Sequence, residues 1–87
     1  MPKHDPILAA LGQNVRRRRE ARELPQEKLA ERASLDPMSL AHRMGEGGAG
    51  SLFGIERGLR NPGIKNVARL AKALGLSAAE LCKGVDA

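Results

Sequence analysis

The sequence predicts an all-α protein, a compact bundle of five short helices, or six if the segment after Pro37 forms one of its own. Three observations lead there. Apolar residues recur at three- and four-residue intervals in 7–15, 24–33 and 64–74, the spacing of a single helix face. Start signals (Asp5-Pro6, Asp36-Pro37, Ser77 with Glu80) and stop signals (Gly58, Gly75) punctuate the chain at helical lengths. No stretch reads as a strand, and the core must be built from Leu, Ala, Val and Ile, since Phe53 is the one aromatic residue among 87.

Each element follows from its residues. Asp5 and Pro6 open a helix over 6–22, with Ile7, Leu8, Leu11 and Val15 on its inner face. Arg16 to Arg19 cannot all share one face at 100° per residue, so some lie inward or sideways. Glu20 and Glu23 temper the outer charge, and Arg16 is a candidate for phosphate contact. A second helix runs from Pro25 to Ala33, with Leu24, Leu29, Ala30 and Ala33 apolar and Ala30 small enough for close helix approach. Ser34 to Pro37 break it, and helical character returns over 38–44.

Gly45 to Gly50 contain four of the ten glycines, and at about 1 kcal/mol per Gly this stretch is expected to be a loop or hinge. Helix resumes at Ser51 and runs to Arg57, with Gly58 as its left-handed stop. Asn61 and Pro62 make a turn. Ile64, Val67, Leu70, Ala71 and Leu74 then form a strongly amphipathic helix, and a Ser77–Glu80 capping box opens a last short one with Leu81 inward.

Composition removes several functions. The lone Cys82 excludes an internal disulfide and a Cys-based zinc cluster, and a metal held by His4, His42 and Cys82 would need three distant residues to converge. No apolar run reaches the roughly 20 residues of a membrane span, and the N-terminal apolar stretch is too short for a signal peptide. The expectation is a cytoplasmic, single-domain chain over 1–87, with 1–4 and 84–87 as frayed ends. Catalysis lacks any triad, metal motif or phosphate-binding Gly-Lys-Ser/Thr sequence, so no enzyme and no cofactor is expected. Lys and Arg exceed Asp and Glu by five, which favours a polyanionic partner. Single-stranded nucleic acid would call for exposed stacking rings, and Phe53 alone does not provide them.

Three segments carry a resemblance: VRRRREARELPQEKLAERASL at 15–35, FGIERGLRNPG at 53–63 and VARLAKALGLSAAEL at 67–81. In order and content they resemble the lambda-repressor/Cro-like (Xre) helix-turn-helix family. The resemblance implies a sequence-specific regulator of transcription that binds double-stranded DNA, acts as a homodimer on a palindromic operator and works on the nucleoid. Gln26 matches the family glutamine, which implies a phosphate contact and support for the recognition helix. Arg19 and Glu56 match positions that pair, which implies an ion pair tying the first helix to the helix-turn-helix unit. Arg57, Arg60, Asn61 and Lys65 fall where the family's post-recognition loop touches the DNA backbone.

One departure stands out. Leu35 to Leu40 fit the first half of the recognition helix and Phe53 to Gly58 the second, with twelve extra residues, 41–52, between them; the repeated Ser-Leu allows the excision to be drawn equally as 39–50. Three arrangements follow. Pro37 to Met44 form the groove-facing helix, so that Pro37, Met38, Ser39, His42 and Arg43 reach DNA; or Ser51 and Leu52 take the places of Ser39 and Leu40, and 36–50 becomes a long turn; or the segment orders only on a partner. The insertion is neutral, Arg43 against Glu46, while 1–40 carry +2 and 53–87 carry +3. A different class of function is a protein-interaction or antitoxin-type module whose 38–53 segment binds a protein partner. Leu76, Leu81 and Val85 form either a dimer interface or part of the core.

Overall fold

A computed structural model describes residues 5–33 and 48–86. Pro37, Met38, Ser39, His42 and Arg43, together with the arrangements drawn for 34–47, lie outside the described residues. The described residues form five helices and no strand: α1 (Pro6–Ala21), α2 (Gln26–Arg32), α3 (Gly48–Glu56), α4 (Gly63–Ala73) and α5 (Ala78–Leu81). None is long and apolar enough to cross a membrane.

Asp5 caps α1 by accepting the backbone N–H groups of Ile7 and Leu8 at 2.9 and 3.1 Å, with Pro6 in the first turn. Leu11 and Val15 enter the core, but Ile7 does not and is 41% exposed, because the first turn of α1 extends past the other helices. The helix ends without a glycine: Glu23 adopts φ 55°, and the Leu24 N–H donates back to the Arg19 carbonyl. That left-handed residue turns the chain straight into α2, whose Leu29 and Ala30 are buried.

α3 departs from the sequence expectation. Gly48 to Gly50 are helical rather than a loop, and the helix begins three residues before Ser51. Leu52 (0% exposed), Ile55 and Glu56 lie inside the bundle, packed where α1 and α2 meet α3. That anchorage outweighs the roughly 1 kcal/mol per glycine that would otherwise unwind the turn. Leu52 belongs to the core, although drawing the excision as 41–52 would remove it.

Two glycines are required by geometry. A Cβ on Gly12 would collide with the carbonyl groups of Ile55 and Glu56, so this residue is where α1 and α3 come closest. Gly58 has φ +74° and ends α3, with the Leu59 N–H donating to the Gly54 carbonyl at 2.8 Å, and a Cβ on it would press on the backbone of Ala9.

α4 buries Val67, Leu70, Ala71 and Leu74, as the amphipathic spacing predicts. Ile64 corrects that reading: it is 73% exposed, since it occupies the first turn, beyond the edge of the core. The Ser77–Glu80 capping box is present in both directions, at 3.1 and 2.9 Å. Leu81 is fully buried, with Leu76 and Val85 packed partly against the same core, so Leu81 is intramolecular core and not interface. Asn14, itself buried, holds this C-terminal segment to α1 by donating to the carbonyls of Leu81 and Lys83 at 2.8 and 2.9 Å. Arg22 ties α1 to the end of α4 through the Leu74 carbonyl at 2.8 Å.

Candidate nucleic-acid interface

The arrangement is centred on Glu56, in the last turn of α3. The Arg19 side chain reaches it from α1 in bidentate fashion, Nε to Oε2 at 2.6 Å and Nη2 to Oε1 at 3.1 Å, while Gln26 at the start of α2 donates Nε2 to Oε1 at 3.0 Å. The remaining guanidinium nitrogen, Nη1, donates to the Leu24 carbonyl at 2.8 Å. Three helices thus meet on one carboxylate. The side chains of Arg19 and Glu56 are only 12% and 3% exposed, and the hydrogen bonds to Glu56 raise the Arg19 guanidinium above its ordinary pKa against the opposing effect of burial. A two-pronged Arg–carboxylate contact of this kind fixes direction as well as charge.

Above this pair opens a cleft of about 340 Å³ lined by Arg16, Arg19, Gln26, Phe53, Glu56 and Arg57. Since Arg19 neutralises Glu56, the charge left over belongs to Arg16 and Arg57 and is positive. Arg16 is exposed and shares an open ion pair with Glu20 at 3.2 Å, a contact of little energetic weight in water. Arg57 lies with its guanidinium carbon 4.9 Å from the centroid of the Phe53 ring.

Of the residues singled out in the sequence, the structure brings Arg16, Gln26 and Arg57 to this one cleft, around the Arg19–Glu56 pair. Arg60 lies beside it on the outer side of α3, its stem laid against Gly54 so closely that a Cβ there would sit 2.8 Å from Arg60 Cδ. Asn61 and Lys65 are exposed on the following loop and first turn of α4 and do not line the cleft; the Asn61 side chain accepts the Gly63 N–H at 3.0 Å. Phe53 and Gly54 escaped the sequence reading as site residues. Placing Leu52, Ile55 and Glu56 inward on a helical wheel would have put Phe53 outward, whereas Gly54 is buried beneath the Arg60 stem.

A second basic cleft, of about 370 Å³, lies between α2 and α4 and includes Arg32, Arg69 and Lys72. Arg32 and Lys72 occupy the last turns of their helices, where a cation complements the helix dipole without any ligand. Among the described residues no group of three or more His, Cys, Asp or Glu is placed to hold a metal.

Helices α2 and α3 packed together on α1, with arginines lining the cleft between them, are the arrangement of a helix-turn-helix protein, a class that places its second helix in the major groove of duplex DNA. The comparisons agree. A family model described as helix-turn-helix matches residues 48–81. The crystal structure of the restriction-modification controller protein C.AhdI from Aeromonas hydrophila is 35% identical, covers 85% of this chain and 94% of its own, and superposes with a TM-score of 0.69. Among curated proteins, no sequence matches the chain. The chain belongs to the lambda-repressor/Cro-like (Xre) helix-turn-helix family, whose members are non-enzymatic, DNA-binding regulators of transcription.

Proposed function

We propose that the protein acts as a homodimer on a two-fold-symmetric operator, on the nucleoid in the cytoplasm, and controls transcription linked to a restriction-modification system, as the description of C.AhdI suggests. The likeness to that controller over nearly all of its length carries this reading. One α3 spans only about half of a typical operator, so two copies related by a two-fold axis read a palindrome. In each copy Arg16, Gln26 and Arg57 meet phosphates beside the groove, with Arg60, Asn61 and Lys65 along the next stretch of backbone. Gln26 suits this role because its amide, fixed by the bond to Glu56 at the lining of the cleft, has a second N–H to donate.

Phosphate neutralisation sets the salt dependence. Eight cationic contacts in a dimer, from Arg16, Arg57, Arg60 and Lys65 of each copy, would lower affinity by between roughly 10³- and 10⁵-fold from about 50 to 200 mM salt. Fluorescence anisotropy with duplexes selected from a randomised pool measures that slope, and light scattering of the complex counts chains per duplex. Two chains per duplex and a steep slope are the expected results. One chain per duplex would remove the homodimer, and a shallow slope would remove the phosphate roles.

A further inference from the structure

We infer that Phe53 reads the methyl group of a thymine at the wall of the major groove, with Arg57 holding its ring. The inference rests on the seating of α3 in the groove proposed above and adds the base feature that this helix recognises.

The argument starts from the helical wheel. Leu52, Ile55 and Glu56 point into the bundle. At 100° per residue, Phe53 and Arg57 then share the outward side, four residues apart. Phe53 is 46% exposed, although it is the only aromatic side chain in a protein whose core otherwise relies on Leu, Val and Ala. Apolar surface left to water in this way costs stability, at about 25 cal/mol per Å². The ring stands outside the core, with the Arg57 guanidinium over its face.

Its neighbours indicate what it meets. On one side lie Arg16 and Gln26, the phosphate-facing residues of the same cleft, while the next residue along the helix, Gly54, is buried beneath the stem of Arg60. The ring therefore stands as an exposed apolar surface directly beside the phosphate contacts. In the major groove a thymine displays its C5-methyl beside its own sugar-phosphate strand, so that methyl occupies the corresponding position on the DNA. Phe53 has no hydrogen-bonding atom and can distinguish bases only by such an apolar contact. The Arg57 guanidinium over the ring face restrains it and leaves N–H groups for the adjoining phosphate.

The test uses deoxyuridine, which pairs as thymine does but lacks the methyl group. The full chain is first used to select a preferred duplex from a randomised pool, and each thymine of a half-site is then replaced in turn. Wild type is expected to bind about fourfold more weakly, per half-site, when one particular thymine is replaced, the effect of withdrawing one buried methyl from contact. Phe53→Ala should lose that sensitivity, and Phe53→Leu, which keeps an apolar tip, should retain part of it. Melting curves of both variants confirm folding. Wild-type affinity unchanged by every replacement, or a sensitivity equally strong in Phe53→Ala, would overturn the inference while leaving operator binding intact. Absence of any preferred duplex would overturn the groove seating itself, and Phe53 with it.

Discussion

At the scale of single residues, Glu56 decides the geometry of the cleft where α1, α2 and α3 meet. A carboxylate that is almost wholly removed from water would be costly by itself, and it is tolerated because Arg19 and Gln26 supply three hydrogen bonds between them. Taking away one charge leaves the other stranded. Arg19→Ala is therefore expected to lower stability by about 3 kcal/mol, and the melting temperature by more than about 10 °C. Combining Arg19→Ala with Glu56→Gln should recover part of that loss, since no buried charge then lacks its partner. Thermal denaturation of the two single variants and the double variant measures the coupling, and strictly additive losses would contradict it. Asn14 works in the same manner without charge, joining the ends of the chain through two carbonyls 67 and 69 residues away.

At the scale of elements, the approach of α1 to α3 is the tightest constraint. Gly12→Ala pushes a methyl group into backbone carbonyls that cannot withdraw, and a loss of at least about 2 kcal/mol is expected despite the better helix propensity of alanine. Gly54→Ala meets only the flexible stem of Arg60, so it should stabilise the fold by a few tenths to about 1 kcal/mol. Denaturant titration checks both, and the opposite signs are the point of the comparison. Much of the fold was legible beforehand: the Asp5 cap, the Ser77–Glu80 box and the stops at Gly58 and Gly75 are local chemistry, readable one turn at a time. The start of α3 at Gly48 was not, because packing of Leu52 overrides the local preference of glycine. Ile64 was misjudged because periodicity reports a face and not how far the core extends along it. Of the candidate site, Arg19, Gln26 and Glu56 were visible through a family resemblance, whereas the exposure of Phe53 depends on the rotation of α3 about its axis.

At the scale of the whole molecule, a net charge of +5 makes the native state a ligand for any duplex, and the fold is stabilised in proportion to what it binds. With selected duplex at about 100 times its dissociation constant, mass action adds about 2.7 kcal/mol to the native state. The melting temperature should rise accordingly by roughly 10 °C and return toward the free value as salt is added. Scanning calorimetry at two salt concentrations follows this, and a shift that ignores salt would contradict it. The glycines at 48, 50 and 54 give a longer-term consequence. A nine-residue helix carrying three of them has no independent existence in water, so it forms only when the bundle around Leu52 has closed. A nascent or heat-damaged chain therefore presents arginines but no formed α3. It can adhere loosely to DNA through charge, yet it lacks the face on which Arg16, Gln26 and Arg57 converge, so that surface exists only in a chain that has finished folding.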